Sequence, residues 1–238
     1  MTASARKTRR SKTEPSSARA DANERWEQIT RVATDLFRRK GFSSTSMQDI
    51  SDAVGLLKGS LYYYIDSKED LLFEILRDLH KDGERIIAQV EFDSGDPLHQ
   101  LRTYLKRAAV FGALNADRLG IFLRDFHYVP AERQSEIISE RRMYQKTVVA
   151  LVTEAKELGL TNPNLDVSLA ATLISGAVAG VHEWLHPDGP RPLDQAAEDI
   201  AEILTNSVRV PVELTAKPAA KKGRPRAKVS SRARRAPA

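Results

Sequence analysis

Thr45-Ser-Met-Gln-Asp-Ile-Ser-Asp-Ala-Val-Gly-Leu-Leu-Lys-Gly-Ser-Leu-Tyr-Tyr-Tyr-Ile-Asp-Ser-Lys-Glu-Asp-Leu-Leu72 is the stretch on which the fold turns. It reads as two short helices joined by a glycine turn, with a long helix starting directly behind them. Ser46 can cap the first, and Asp49 three residues on makes a capping box with a shorter acid. Met47, Ile50, Ala53 and Val54 supply its inner face, and Gly55 ends it. The spacing then predicts a short helix over about Leu57 to Ile65. Asp66 or Ser67 caps the long helix, with Glu69 and Asp70 in the first turn, where the helix dipole favours acids.

Two short helices crossing steeply after a longer supporting helix form a helix-turn-helix. The support is predicted from about Asn23 to Lys40. Trp26, Ile29, Val32, Ala33, Leu36 and Phe37 recur there at three- and four-residue steps, and Gly41 stops the run. Ile50, Val54, Leu56 and Leu61 suit the clamp between the short helices. The outer face of the second then shows Lys58, Gly59, Ser60, Tyr62 and Tyr63. Gly59 lets the backbone come close to DNA, hydroxyls of Ser60 and the tyrosines reach phosphates, and Lys58 reaches a phosphate or a guanine edge. A helical hairpin with surface tyrosines would carry the same residue types.

The contiguous run favours the first reading. Across about residues 25–75 it resembles the TetR/AcrR family of one-component regulators, with Lys-Gly-Ser-Leu-Tyr-Tyr and Ser-Lys-Glu-Asp-Leu-Leu at the family's spacing. The resemblance implies an all-α protein with an N-terminal three-helix DNA-binding domain and a C-terminal helical domain for ligand binding and dimerisation. It implies that Thr45, Ser46, Lys58, Ser60, Tyr62, Tyr63 and Lys68 contact DNA, with Tyr63 and Lys68 gripping phosphates. It also implies a homodimer on a double-stranded operator and a repressor that lets go on binding a small molecule. Two positions depart from the pattern. Leu57 stands where the family often has a capping hydroxyl, and Ile65 replaces a usual aromatic.

The rest of the chain is helical in pattern, with no cysteine and no repeat. Helices are predicted from Pro97 to about Leu114, Asp117 to Phe126, Pro130 (as first residue) to Gly159, Asp166 to about Leu185, and Asp194 to about Val208. The domain reading is 23–70 for DNA binding and 71–210 for ligand and dimer. Residues 1–22 and 211–238 are read as disordered basic tails. Charge is segregated. Residues 1–20 carry six basic residues and one acid, and 217–238 carry nine basic residues and none, around an acidic middle. Residues 21–80, the reading module itself, hold eight basic and eleven acidic residues. The tails are therefore expected to supply the attraction to DNA that the module lacks, a solubilising role being the alternative. Lys221 to Arg226, with its Gly-Arg-Pro centre, resembles an AT-hook for a narrow minor groove.

In the C-terminal half, Ser168, Ala170, Ala171, Ser175, Gly176, Ala177, Ala179 and Gly180 make a small-residue helix that another helix can approach closely. By the resemblance, this helix and the last one form the dimer interface. Candidate ligand-lining residues are Phe111, Phe122, Phe126, Tyr144 and Trp184, with Tyr104, Leu114, Tyr128, Met143 and Val148 beside them. Arg141 could hold an anionic head group or pair with nearby acids. Asn162 to Val167 and Trp184 to Pro190 are similar to actinobacterial TetR regulators of lipid and sterol catabolism, which implies an acyl-CoA effector.

One alternative belongs to a different class. His182-Glu-Trp-Leu-His186 matches the zinc-hydrolase pattern H-E-x-x-H, with Glu183 as base, but Pro187 would end the helix beside the second histidine. No other catalytic constellation is present, so the expectation is a regulator without cofactor or metal. The lack of cysteine, of a long apolar run and of a signal peptide points to a cytoplasmic protein with no membrane partner.

Overall fold

A computed structural model describes residues 15–91 and 95–210, with the side chains of 15–19, 87–91, 140 and 141 left out. Among the described residues there are nine α-helices and no strands, only an isolated bridge between Thr161 and Arg209. The helices are α1 (Pro15–Lys40), α2 (Met47–Val54), α3 (Lys58–Leu61), α4 (Lys68–Glu91), α5 (Pro97–Leu114), α6 (Ala116–Asp125), α7 (Ala131–Glu157), α8 (Val167–Ala179) and α9 (Leu193–Asn206). Short 3₁₀ turns follow α6 (Phe126–Tyr128) and α8 (Gly180–Glu183). None of the described helices is long and apolar enough to cross a membrane. Most of the N-terminal tail, the whole C-terminal tail and its AT-hook-like segment lie outside the described residues.

Four boundaries differ from expectation. Helix α1 begins at Pro15, not Asn23. Scarcity of apolar residues suggested disorder there, but Pro at the first position and Ala18, Arg19, Ala20, Ala22 and Glu24 are favourable to a helix regardless of burial. Helix α3 closes at Leu61, and Tyr62 to Tyr64 continue as turns through bonds such as Tyr63 N–H to the Ser60 carbonyl (3.3 Å). Three successive aromatics are weak helix formers, and no side chain caps its start. Pro130 sits one residue before α7 rather than in its first position. Helix α8 stops at Ala179 instead of running to Leu185, because Gly180 opens a tighter turn and Pro187 lies just ahead.

Packing joins the halves. The core under α1–α4 contains Ile29, Phe37, Ile50, Val54, Leu61, Leu71, Leu72 and Leu76, and continues into Ile121, Phe122, Val129 and Ile137 of the C-terminal half. Each such fully buried aliphatic or aromatic contributes roughly 1.5–3 kcal/mol. A second core, with Leu101, Leu105, Val152, Ile174 and Ala201, binds α5 to α7, α8 and α9. Polar ties reinforce the junction: Arg124 Nη2 donates to the Phe37 carbonyl at the end of α1 (2.7 Å), and Arg133 pairs with Asp70 (2.8 Å). The hydrogen bond that Arg124 donates to the Asp125 carboxylate raises its guanidinium further above the ordinary value, against the opposing effect of burial.

Candidate nucleic-acid interface and effector chamber

The reading head is built from local rules that the sequence states openly. Ser46 Oγ accepts from Asp49 N–H (3.1 Å), and Ser46 N–H donates back to the Asp49 carboxylate (2.9 Å). Lys40 Nζ reaches the same carboxylate at 3.0 Å. The Ser46 hydroxyl first, then the Ser46 N–H and Lys40, hold Asp49 well below the usual carboxylate range. Gly55 takes the left-handed conformation (φ 75°) that lets α2 stop and α3 turn away. Ile50, Val54 and Leu61 are buried beneath, as the clamp requires. Ser67, not Asp66, caps α4, its hydroxyl accepting from Asp70 N–H at 3.0 Å.

The face that remains is the one expected for DNA. Ser46, Lys58, Gly59, Ser60, Tyr62 and Tyr63 are exposed, and Tyr63 is 86% exposed while its neighbour Leu61 is fully buried. A methyl group at Gly59 would meet nothing within 4 Å, so the backbone there is open to close approach. Leu57 is 81% exposed and offers no side-chain cap, as its departure from the family pattern suggests.

Two expected contacts are placed elsewhere. Thr45 is buried, and its hydroxyl donates to the Gly41 carbonyl (2.8 Å). Lys68 points inward: Nζ donates to the carbonyls of Phe42 (2.9 Å) and Thr45 (2.8 Å) and lies 4.4 Å from the Phe42 ring centroid. Both residues tie the α1–α2 turn to the start of α4. Sequence spacing cannot show this, because the turn's carbonyls become Lys68's neighbours only once α4 folds back.

The C-terminal half encloses an apolar chamber of about 160 Å³ between α4, α5, α6, α7 and α8. Phe111, Phe122 and Tyr144 line it as expected, with Tyr104 and Val148. Phe126 instead packs on Phe122 (5.2 Å between centroids), and Trp184 is 59% exposed outside it, beyond the point where α8 ends. The Arg141 side chain lies outside the described residues. Ser175, read from sequence as part of the small-residue dimer helix, lines the chamber as well, and so do His80 and Gly83, which were not singled out from sequence. Their signal was present on α4, where a histidine and a glycine interrupt an apolar stripe at Leu72, Leu76, His80 and Gly83. Tyr144 Oη donates to the His80 carbonyl (2.9 Å) and passes so close to Gly83 that a Cβ there would lie 2.4 Å from it. Burial pushes the Tyr104 hydroxyl up to about 12, which keeps it neutral.

Beside the chamber runs an open groove of about 730 Å³ along α5, with His99, Arg102, Lys106 and Arg107 facing Asp194 and Glu198. Lys106 pairs with Asp194 and Glu198, both at 3.0 Å, and Arg102 with Glu198 at 2.7 Å. The hydrogen bond between Lys106 and Glu198 moves the amine up and the carboxyl down.

The zinc-hydrolase pattern is not presented as that chemistry needs. His182 is buried in the 3₁₀ turn with Nδ1 2.8 Å from the Ala179 carbonyl, and His186 falls outside any helix, so the imidazoles do not share an α-helical face. No group of three or more potential metal ligands occurs among the described residues. By contrast, Leu169, Leu173 and Ile203 stand exposed on α8 and α9.

Comparisons with known proteins agree with this layout. Residues 29–75 match a family model described as bacterial regulatory proteins, tetR family, and residues 94–208 match one described as tetracyclin repressor-like, C-terminal domain. The chain is 27% identical over 187 residues to the HTH-type transcriptional repressor KstR2 of Rhodococcus jostii, covering 76% of this chain and 89% of that one. A TetR/AcrR-family regulator from Thermobifida fusca superposes with a TM-score of 0.61 at 31% identity, covering 79% and 100%. AibR, solved with isovaleryl coenzyme A and operator DNA, superposes with a TM-score of 0.66 at 25% identity, covering 78% and 98%.

Proposed function

Because the chain belongs to the TetR/AcrR family of transcriptional regulators, we propose that it is a homodimeric operator repressor released by an effector of the acyl-CoA class. One observation carries the DNA half of this reading: a fully packed head presents Lys58, Ser60, Tyr62 and Tyr63 on a single exposed face. Tyrosine and serine hydroxyls on that face suit phosphates, and Lys58 a phosphate or a guanine edge. Paired half-sites need a two-fold protein, and a second copy of α8 and α9 would cover Leu169, Leu173 and Ile203. The effector half draws support from the chamber and from the acyl-CoA complex of AibR. Phe122 both lines the chamber and packs in the head's core, and α6 holds the end of α1 through Arg124. A ligand that displaces Phe122 therefore shifts α6 against the head and alters the spacing of the two reading faces.

Selection of bound duplexes from random DNA supplies the operator. Tyr63→Ala in the folded dimer should then weaken binding to it at least tenfold with little change in melting temperature. Undiminished binding would remove the exposed face from the interface.

A further inference from the structure

The chamber and the basic groove share two walls, Ile86 and Phe111. Buried polar atoms without a hydrogen-bond partner on their walls include Arg102 Nε, on a side chain already paired with Glu198, and one atom each of Ser175 and Arg107. Ser175 Oγ is buried on the wall of an otherwise apolar chamber, and Arg107 Nη1 is buried on the wall of the groove; neither meets a hydrogen-bond partner among the described residues. Arg102 and Lys106 of the same groove are already paired with carboxylates, whereas Arg107 forms no ion pair among the described residues. A buried hydroxyl inside an apolar room and a buried guanidinium nitrogen beside it each cost free energy until a hydrogen-bond partner reaches them.

Size then narrows the ligand. An apolar cavity of about 150 Å³ takes up a benzene-sized group. The chamber, at about 160 Å³, is of that size, and a fused-ring skeleton or a long alkyl chain would have to extend beyond its present walls. Resting on the effector reading above, we infer that this protein selects a short acyl thioester on an anionic carrier. The acyl group, about six heavy atoms, fills the chamber. Its carbonyl oxygen accepts from Ser175 Oγ, and the thioester passes Ile86 and Phe111 so that a carrier phosphate meets Arg107. Ser175 and Arg107 thereby read different parts of one ligand.

Calorimetry on the full-length dimer with isovaleryl-CoA, palmitoyl-CoA, free CoA and isovalerate tests this. Isovaleryl-CoA should bind at least tenfold tighter than the other three. Arg107→Gln should weaken isovaleryl-CoA and free CoA alike, by roughly tenfold, with Arg107→Lys intermediate because it keeps the charge but loses the planar fork. Ser175→Ala should weaken isovaleryl-CoA severalfold and leave free CoA unchanged. Equal or tighter binding of palmitoyl-CoA overturns the size selection, and unchanged affinity in Arg107→Gln overturns the carrier contact. Operator release separates the two levels. A long-chain thioester that frees the operator overturns this inference and leaves the effector reading standing. An operator held equally well with every thioester present removes both.

Discussion

The head and the chamber obey the same packing rules and end in opposite states. In the head, polar groups turn inward upon each other: Thr45 on Gly41, Lys68 on Phe42 and Thr45, and Ser46 and Asp49 on each other's backbone N–H. In the sensor half, the helices stop short of closing, and Ser175 and Arg107 keep atoms without partners among the described residues. A surface that must fit DNA gains from being fixed beforehand, since ordering it during binding would cost affinity. A site that must respond needs room and unspent polar contacts, because a ligand shifts an equilibrium only through interactions that differ between the states.

The largest effect should come from breaking the head's inward tie. Lys68→Met keeps the apolar stem and removes two charged hydrogen bonds, so it should cost about 2 kcal/mol in thermal or urea unfolding. Operator affinity should fall with it, yet the slope against salt should stay put. A slope reduced by about one would mean that Lys68 neutralises a phosphate after all.

The next test fills the sensor instead. In Gly83→Ala the new methyl meets the Tyr144 hydroxyl, which must leave the His80 carbonyl. Overpacking of about 1–3 kcal/mol is partly offset by the better helix propensity of alanine, so the net loss should be near 1 kcal/mol. Operator binding should survive while release by effector is blunted. Adding Tyr144→Phe, which removes the clashing oxygen, should restore part of the response.

The smallest effect is at the exposed cap. Ser46→Ala should cost roughly 0.5 kcal/mol, the lower end for a lost N-cap. Its clearer signature is in acid. Asp49 sits below its ordinary value of 3.8 in the folded state, so its stabilisation is complete above that pH and drains away as pH falls further. Removing Ser46 takes away the main cause of the depression. The acid arm of the melting-temperature curve should therefore flatten in the variant, and an unaltered arm would assign the depression elsewhere.

The sequence by itself determined the helical class, the capping box at Ser46, the turn at Gly55 and the outward set from Lys58 to Tyr63, because each depends on neighbours within one or two helical turns. It also supplied Phe111, Phe122 and Tyr144 as lining, since large aromatics on inward stripes tend to meet at a core. Only the tertiary structure decided that Lys68 serves carbonyls 23 and 26 residues earlier, that Trp184 falls outside the chamber, and that His80, Gly83 and Ser175 lie within it. Those outcomes depend on where helices distant in sequence come to rest, and the periodicity of a single helix carries no record of what will stand opposite it.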